Sequence, residues 1–433
     1  MKYLIGLDMG TSSVKGVLMD GGGNIIKTAR GSFTYHASAP GRNELMPEEY
    51  LKVCYGTIRE LAAGVSGAEV KGICASTASG NLVVLDHQME PLTNIIGWQD
   101  GRVGEEALQV LGVGREEEIY EKIGWPFGYS GFPLAQLCYL KVHAPEVLRD
   151  CGQVCMSTEY LYYTLTGKWG ISGSAGTPFY LIDQKSGTYI KEFLEVLGLT
   201  EKQVPAVYGC GHVLGGLTRE GASLCGLLEG TPLVLGGFDH PSAARGARVT
   251  KEGQVLLSCG TSWVAFLPVA TREQGIRGGL LVDPYLSPEG PWAVMSSVAS
   301  LAARLELYVH RYIEDSPQAY NRLSALAALS CAGAHGLVIN PLEEPEDERI
   351  LKFGKEDIAR AIMEGTVHLL KDRLENLKRK GIHAESAVMV GGPSEDPFWI
   401  TLIQEICEIP VESGPGAYAG ALGAALMARE AVL

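Results

Sequence analysis

The chain has 433 residues, of which 46% are hydrophobic and 20% charged, so it is long enough for roughly two to three domains and unlike a disordered or coiled-coil protein. Its net charge of −14 argues against a broad surface for the nucleic-acid backbone, which usually shows as a basic stripe. The same charge repels polyphosphates at long range, so a site for one must act locally, through backbone N–H groups, helix N-termini and Mg²⁺.

Cysteine spacing and hydropathy indicate the compartment. Ten cysteines are scattered along the chain, and the closest pair, Cys151 and Cys155, has the spacing of neither a zinc ribbon nor a thioredoxin site. The N-terminus MKYLIGLD reaches Asp8 before a signal-peptide core forms, and we find no run of about 18 apolar residues. We therefore expect reduced, mostly buried thiols, a cytoplasmic location and no membrane partner.

The first elements along the chain predict a strand–turn–strand unit. Residues 3–8, YLIGLD, predict a strand, and GTSSVKGVLMD followed by GGGNII predicts a tight turn, a second strand and a hairpin turn. Residues 254–267, QVLLSCGTSWVAFL, repeat this plan, so that the Gly-Thr-Ser of positions 10–12 recurs at positions 260–262. Because each copy stands at the same place in its unit, we interpret them as parts of duplicated domains.

The domain boundaries follow from this repeat. We place one domain at 1–247 and the second at 248–433. Predicted helices alternate with short apolar strands in both, at 47–63, 132–149, 155–166, 355–380 and 397–407. Such alternation is typical of α/β layers.

Two glycine-hydroxyl turns are candidate phosphate sites. In Asp8-Met9-Gly10-Thr11-Ser12-Ser13, glycine allows close approach of the backbone, hydroxyl and N–H groups offer donors, and the carboxylate suits Mg²⁺. An ordinary hairpin is the alternative. Ser258-Cys259-Gly260-Thr261-Ser262 offers the same donors from the second domain, and the pair facing each other across a cleft would clamp a polyphosphate from both sides.

Two further junctions carry candidate residues. Val390-Gly391-Gly392-Pro393-Ser394 joins a predicted strand to a helix, which suits a nucleotide or a simple packing turn. In LVLGGFDHPSAARGA, Asp239 follows an apolar strand and two glycines. Its carboxylate is either a helix N-cap or, beside a substrate hydroxyl, a general base for phosphoryl transfer.

The order of these segments resembles the FGGY carbohydrate kinase family over nearly the whole chain. The segments that carry the resemblance are GLDMGTSSVKGVLMD, GWQDGR, GTPLVLGGFDHPSAARGA, SCGTS, ARAIMEGTVHLLKD, VGGPSEDPFWITLIQEICEIPV and GAYAGALGAALMA. The resemblance implies an α/β fold of two ribonuclease-H-like domains, as in actin and hexokinase, with the active site in the cleft between them. It implies an ATP- and Mg²⁺-dependent kinase of a small sugar or polyol.

The same resemblance assigns roles to residues. Asp239 resembles the base that takes the sugar hydroxyl proton, and Asp8 the carboxylate associated with Mg²⁺. The ATP-binding positions are Thr11, Ser12, Ser13, Gly260, Thr261, Gly391, Gly392 and Asp396. The sugar-binding positions are Ser79, Gly80, Asn81, Asp100, Arg102, Asp239 and His240.

Some positions differ from the family pattern. His240 stands where the family often has glutamine, and Ser79-Gly80 replaces the pairs that mark xylulose and glycerol kinases. Gln136 stands where many relatives have lysine: either this change removes a charge that could contact substrate or phosphate, or Gln136 is a polar residue of a surface helix. We favour core packing for Trp263 and Trp399, and a place lining the sugar site for Trp98.

These features leave the substrate open. A pentulose kinase of the xylulose-kinase type is our first expectation, a polyol or aldonate kinase the alternative, and a catalytically silent sugar sensor or scaffold the rival from another class. The sequence leaves the assembly open between a monomer and a homodimer, and we expect no nucleic-acid partner.

Overall fold

The computed structural model of the chain describes residues 1–36, 39, 41–77, 80–128, 131–260, 262–285, 290–316 and 318–433. The chain divides into two compact units. Unit 1 comprises Met1–Gly246, Ala270–Ala293 and Gly420–Leu433, and unit 2 comprises Ala247–Val269 and Val294–Ala419. Two later segments of the chain thus return to unit 1, while the sequence-based domains 1–247 and 248–433 stay a prediction.

The strands, in chain order, are β1 (Tyr3–Met9), β2 (Ser13–Asp20), β3 (Ile25–Ser32), β4 (Glu44–Leu45), β5 (Val70–Thr77), β6 (Val83–Leu85), β7 (Ile95–Ile96), β8 (Gln153–Cys155), β9 (Gly170–Ser172), β10 (Ile182–Asp183), β11 (Thr188–Tyr189), β12 (Ala206–Tyr208), β13 (Val213–Gly216), β14 (Pro232–Phe238), β15 (Gly253–Cys259), β16 (Trp263–Val269), β17 (Leu281–Asp283), β18 (Trp292–Val298), β19 (Ala384–Val390) and β20 (Val411–Ser413).

The α-helices are α1 (Pro47–Ala62), α2 (Glu106–Leu111), α3 (Glu116–Ile123), α4 (Pro133–His143), α5 (Pro145–Arg149), α6 (Ser157–Thr166), α7 (Gly173–Gly176), α8 (Lys191–Leu197), α9 (Arg219–Cys225), α10 (Asp239–Gly246), α11 (Arg272–Arg277), α12 (Leu301–Tyr312), α13 (Ala319–Ala327), α14 (Asp347–Ile350), α15 (Lys355–Arg379), α16 (Pro397–Cys407) and α17 (Ala419–Val432). Short 3₁₀ turns lie at Gly67–Glu69, Glu201–Gln203, Ala334–Gly336, Gly392–Glu395 and Gly416–Tyr418. Within the described ranges, no helix is long and apolar enough to cross a membrane.

The main sheet of unit 1 has the order β13-β14-β5-β1-β2-β3. Strand β1 pairs antiparallel with β2 and parallel with β5, so its carboxyl end lies beside the carboxyl end of β5. This register places Asp8 opposite Lys15 on one side and Ser76 on the other. A carboxylate, a cation and a hydroxyl therefore meet at one edge of the sheet.

The sheet of unit 2 repeats this plan. Five of its strands follow the order β18-β16-β15-β19-β20, with β15 antiparallel to β16 and parallel to β19. Strand β15 thus corresponds to β1, β16 to β2 and β19 to β5. The shared pattern confirms the predicted α/β duplication.

Helix α1 shows how the core of unit 1 forms. Its buried side chains Tyr50, Cys54, Ile58 and Leu61 recur every three to four residues, which is the spacing of one helix face. That face belongs to the same buried cluster as Ile5, Leu7 and Val14 of β1 and β2. Each such aliphatic side chain contributes about 1.5–3 kcal/mol when it is fully buried.

Candidate functional site

Asp8, at the end of β1, lies among groups of opposite charge and hydrogen-bonding character. Ser76 Oγ donates a 2.9 Å hydrogen bond to Asp8 Oδ1. Burial raises the pKa of the Asp8 carboxyl above its ordinary value, while Lys15, the Ser76 hydrogen bond and His240 oppose that rise. A buried carboxylate of this kind favours a nearby cation.

The last helix of the chain closes over Asp8 through glycines. A Cβ atom on Gly420 would lie 2.6 Å from Asp8 Cγ, and one on Gly423 would lie 1.7 Å from the carbonyl oxygen of Ser242. Only residues without a side chain allow α17 to pack this closely on α10 and on the end of β1. Gly420 and Gly423 in GAYAGALGAALMA are therefore required by this close packing.

Strand β14 is irregular directly before Asp239. Its parallel register with β5 shifts between Leu235 and Phe238, around the two glycines of LVLGGFD. A Cβ atom on Gly236 would lie 1.9 Å from the carbonyl oxygen of Ala75, so this position requires glycine. Such bulges re-aim the following side chain and are frequent beside active sites.

Hydroxyl groups fix the backbone at this bulge. Ser172 Oγ donates to the Gly236 carbonyl oxygen at 2.6 Å. The Phe238 N–H donates to Ser174 Oγ at 3.0 Å, and the Ser174 hydroxyl donates to Asp283, at 3.0 Å from Oδ1. The peptide that leads into Asp239 is thereby held from both sides.

The Asp239 side chain is partly buried and partly exposed to solvent. Its side chain keeps 31% of its surface exposed, and its Oδ1 accepts a 2.6 Å hydrogen bond from the His240 N–H. Burial raises the pKa of the Asp239 carboxyl, the Asp8 charge raises it further, and His240 and Lys15 lower it. The His240 ring nitrogen Nε2 lies 3.9 Å from Asp239 Oδ1. In unit 1, the charge of Asp8 thus acts on Asp239, the second carboxylate predicted for the site.

The turn between β1 and β2 carries the predicted phosphate contacts. The Gly10 N–H donates to the Ser13 carbonyl oxygen, and the Phe33 N–H donates to that of Ser12. Ser12 itself is exposed. Trp98 Nε1 donates to Thr11 Oγ1 at 3.2 Å. The indole therefore lies beside this turn, and its role at a sugar site stays a prediction.

Gly80 and Asn81 are predicted sugar contacts, and Ser79 lies outside the described residues. Gly80 has φ +49°, and a Cβ atom there would lie 2.3 Å from the Phe132 ring, so both conformation and space require glycine. The Asn81 amide group donates to Ser157 Oγ at 3.0 Å, and its Oδ1 accepts from the Ser157 N–H at 2.7 Å. The structure thus uses this amide to anchor the start of α6.

Asp100 and Arg102 bind each other. Arg102 Nε donates to Asp100 Oδ1 at 2.6 Å, the Asn43 N–H donates to Asp100 Oδ2 at 2.7 Å, and Arg102 also pairs with Glu44. Burial alone would raise the pKa of Asp100, but the hydrogen bonds from Arg102 and Asn43 hold it below its ordinary value. Both side chains are nearly inaccessible, so their immediate effect is to brace the loop after Trp98.

Gln136 overturns one of our two interpretations. We considered it as a polar residue of a surface helix, but it is fully buried in α4, where most side chains from Pro133 to Leu140 are buried. Its Nε2 donates to the carbonyl oxygens of Gly97 and Gly131 at 3.0 and 3.1 Å. An uncharged amide meets carbonyl groups here, and it holds the segment that carries Trp98.

The corresponding turns of unit 2 lie beside one another, and Thr261 falls outside the described residues. Gly391 has φ +96°, and a Cβ atom there would lie 2.4 Å from the carbonyl oxygen of Cys259. Gly260 and Gly392 have open space at their Cβ positions. Asp396 Oδ1 accepts from the Phe398 N–H at 2.9 Å and so caps α16.

A cavity of about 420 Å³ opens beside these glycines. Its lining combines small backbone-exposing residues with aromatic and polar side chains, including Gly260, Gly392, Pro393, Asp396, Trp263, Trp399, Tyr320 and Asn321. Trp263 and Trp399 are buried and meet edge to face, with ring centroids 5.3 Å apart. They pack as we expected, and both also line the cavity.

Sequence reasoning missed Lys15, Ser76, Ser174 and Asp283. The signal for Lys15 was present, since a hairpin with a short turn at positions 10–12 pairs residue 8 with residue 15. Asp283 comes from the segment 270–293, which returns to unit 1. No local pattern in LLVDPYL separates a buried carboxylate such as Asp283 from an ordinary strand end.

The comparisons with known proteins agree with this architecture. The model of the FGGY family of carbohydrate kinases, N-terminal domain, matches residues 3–246, and the model of the C-terminal domain matches residues 319–431. The chain belongs to the FGGY family of carbohydrate kinases. It is therefore a sugar kinase, an enzyme that transfers a phosphoryl group to a carbohydrate hydroxyl.

Relatives of this FGGY kinase match it over nearly its full length. The xylulose kinase of Staphylococcus epidermidis (strain ATCC 12228) is 26% identical over 448 residues, which cover 99% of this chain and 87% of the relative. The L-xylulose/3-keto-L-gulonate kinase of Escherichia coli (strain K12) is 28% identical over 449 residues, 99% of this chain and 88% of the relative.

A solved structure supports the fold of this FGGY kinase. The ligand-bound xylulose kinase from Lactobacillus acidophilus superposes with a TM-score of 0.86 at 22% identity, over 100% of this chain and 89% of that one. The predicted two-domain fold of the actin and hexokinase type is confirmed.

Proposed function

We propose that this kinase phosphorylates a pentulose of the xylulose type with ATP, and that Asp239 is the general base. Both curated relatives described above are named for xylulose or L-xylulose, and each aligns with 99% of the chain. The observation that carries the assignment of the base is the recessed Asp239 carboxylate, held at a braced bulge beside Asp8. Its raised pKa makes it a stronger base than an exposed aspartate.

Asp239 would orient the attacking hydroxyl and accept its proton during transfer. The proton goes to a carboxylate oxygen while the hydroxyl oxygen attacks the terminal phosphate, and the leaving group is the nucleoside diphosphate. His240 lies within 3.9 Å of that carboxylate and limits the rise of its pKa. The base therefore stays ionised over a wider pH range than burial alone would allow.

The residues of unit 1 fit a role beside Mg²⁺. Asp8 offers a hard oxygen ligand, and Mg²⁺ commonly takes one or two carboxylates together with phosphates and water. When bound, Mg²⁺ neutralises phosphate charge and orients the terminal phosphate. Ser76 fixes the Asp8 carboxylate, and Lys15 supplies positive charge at the same edge of the sheet.

The residues of unit 2 fit a nucleotide. The cavity of about 420 Å³ is within the size range of small-molecule sites, and its glycines let backbone groups approach a phosphate. Trp263, Trp399 and Tyr320 supply an apolar surface for a purine base. Catalysis then requires that the terminal phosphate reach the hydroxyl held at Asp239.

Asp283 and Ser174 would act as positioning residues. They do not face the reacting atoms directly, but they hold the Phe238 N–H immediately before Asp239. Burial raises the pKa of Asp283 well above its ordinary value, and the Asp239 charge adds to that rise. The Asp283 carboxyl accepts the Ser174 hydrogen bond, and its raised pKa favours the neutral form, which does not repel the base.

A substrate panel tests the proposed function. Purified enzyme with ATP and Mg²⁺ is offered a pentulose, a hexulose, a polyol and an aldonate, and ADP release is measured by a coupled assay. We expect the pentulose to give the highest kcat/KM. A higher value for the polyol or aldonate would replace the substrate assignment, and no stimulation by any acceptor would overturn the proposal. We also expect the enzyme to work in the cytoplasm, as a monomer or a homodimer.

A further inference from the structure

A surface loop of unit 2, residues 330–336, carries a cysteine, a histidine and an aspartate in relay order. Cys331 Sγ lies 3.7 Å from His335 Nε2, and His335 Nδ1 lies 2.8 Å from Asp357 Oδ1 at the start of α15. The thiol and the imidazole are both exposed. This is the arrangement of a nucleophile, a base and an orienting carboxylate.

The hydrogen bonds of Asp357 fix the tautomer of His335. The Ser330 hydroxyl donates to Asp357 Oδ1 at 2.6 Å, and this bond together with His335 lowers the pKa of Asp357. An ionised carboxylate only accepts hydrogen bonds, so the Nδ1–H of His335 donates to it. Nε2 of the neutral ring is then an acceptor that faces the thiol.

The loop is held in this geometry by its backbone. Ala334 and His335 both have left-handed conformations, with φ +45° and +50°. The Gly333 N–H donates to Glu364 Oε1 at 3.1 Å, and Glu364 in turn pairs with Arg360 at 2.6 Å. Glu364 and Arg360 of α15 thus lie next to the loop as an ion pair, besides Asp357.

We propose that Cys331 is a modification site that exchanges with low-molecular-weight disulfides. The Cys331 proton passes to His335 Nε2, and Sγ attacks one sulfur of the disulfide. A bond forms between that sulfur and Sγ, the original S–S bond breaks, and the released thiolate takes the proton from His335. The products are a mixed disulfide on Cys331 and one free thiol, with no other oxidant or reductant required.

The other cysteines provide an internal contrast. Burial raises the pKa of Cys407 to about 11 and that of Cys151 to about 12, whereas Cys331 is the one exposed thiol among the ten. Thiolate character and access together determine which thiol reacts. The reaction should therefore be confined to Cys331.

The experiment measures the reaction of the full-length enzyme with the aromatic disulfide 5,5′-dithiobis(2-nitrobenzoic acid). We expect one fast thiol, mapped to Cys331 by peptide mass spectrometry and absent in Cys331→Ser. At pH 6.5 this thiol should react about fivefold faster in the wild type than in His335→Gln or Asp357→Asn, because each change removes part of the relay.

Matched controls separate the relay from general effects. His310, a partly exposed histidine that pairs with Asp315, gives the control His310→Gln, which should leave the rate unchanged. Melting temperatures verify that each variant is folded, and the two relay variants test the proposal independently. Equal rates in the wild type and in a folded His335→Gln or Asp357→Asn variant, or preferential labelling of another cysteine, would overturn the proposal.

Discussion

The Ser174 hydroxyl donates a 3.0 Å hydrogen bond to Asp283 Oδ1 in the buried part of unit 1, although 109 residues separate the two in sequence. Ser174 Oγ accepts at the same time from the Phe238 N–H, at 3.0 Å. The chain of bonds ends one residue before Asp239. Through Ser174, a buried acid far along the sequence is thereby linked to the backbone that leads into the proposed base.

We predict that Asp283→Ala lowers kcat about tenfold with little effect on the KM for ATP, because Ser174 loses its acceptor and the bulge before Asp239 relaxes. Asp283→Asn keeps a neutral acceptor oxygen and should retain most of the activity. Steady-state kinetics with a pentulose checks both. Equal losses in the two variants would show that a charge, and not the hydrogen bond, matters at this position.

A double-mutant cycle tests whether Ser174 and Asp283 act together. Ser174→Ala and Asp283→Ala should each lower the free energy of unfolding by about 1–3 kcal/mol, because each leaves a buried polar group without its partner. The double variant should be about 1 kcal/mol more stable than the sum of the two single losses predicts. Additive losses in urea denaturation would argue for two separate roles.

Lys15 should control the pH dependence of turnover. The proposed base must be ionised, so kcat/KM falls as the pH drops through the raised pKa of Asp239. Because Lys15 lowers the pKa of both Asp239 and Asp8, Lys15→Met should move this acid limb to higher pH. Lys27→Met on β3 is the matched control, and an identical shift in both variants would contradict a specific role for Lys15.

Glu159 in α6 should make stability depend on pH. It is fully buried, burial raises its pKa to about 8, and among the described residues no side chain hydrogen-bonds its carboxyl oxygens. The unfolded chain ionises this group near pH 4.5 and the folded chain only near pH 8. The free energy of unfolding therefore falls as the pH rises from about 4.5 to about 8, by up to about 5 kcal/mol.

Glu159→Gln removes that pH-dependent loss. We expect the variant to gain stability relative to the wild type as the pH rises from 5 to 8, measured by urea denaturation at both values. Glu195→Gln, at an exposed position on α8, is the control and should show no such gain. A difference between Glu159→Gln and wild type that stays constant with pH would refute the raised pKa.

The sequence was sufficient to predict the candidate site residues that lie at, or just after, the end of a strand. Asp8 lies at the end of an apolar strand, Asp239 follows an apolar strand and two glycines, and the charge of Asp8 acts on Asp239 in the structure. It was insufficient for Gln136, because helix α4 is buried on nearly all sides and has no polar face to indicate orientation. Asp100 and Arg102 were predicted as sugar contacts, but their partners Glu44 and Asn43 come from a distant segment that spacing cannot pair.

Gln136 gives a prediction of its own. Gln136→Leu keeps the buried volume but leaves the carbonyl oxygens of Gly97 and Gly131 without their donor. We expect a loss of about 1–3 kcal/mol in the free energy of unfolding, and a higher KM for the sugar if the Trp98 loop lines its site. An unchanged melting temperature together with an unchanged KM would contradict this role.

The most direct test of the proposed mechanism is the turnover of Asp239→Asn. This change keeps size and most hydrogen bonding but removes the basic carboxylate, so turnover should fall by about 10²- to 10⁴-fold, with sugar affinity and melting temperature close to wild type. Asp150→Asn, at an exposed carboxylate, is the matched control. A folded Asp239→Asn enzyme with near wild-type turnover would contradict the assignment of Asp239 as the base and leave it the role of a helix cap.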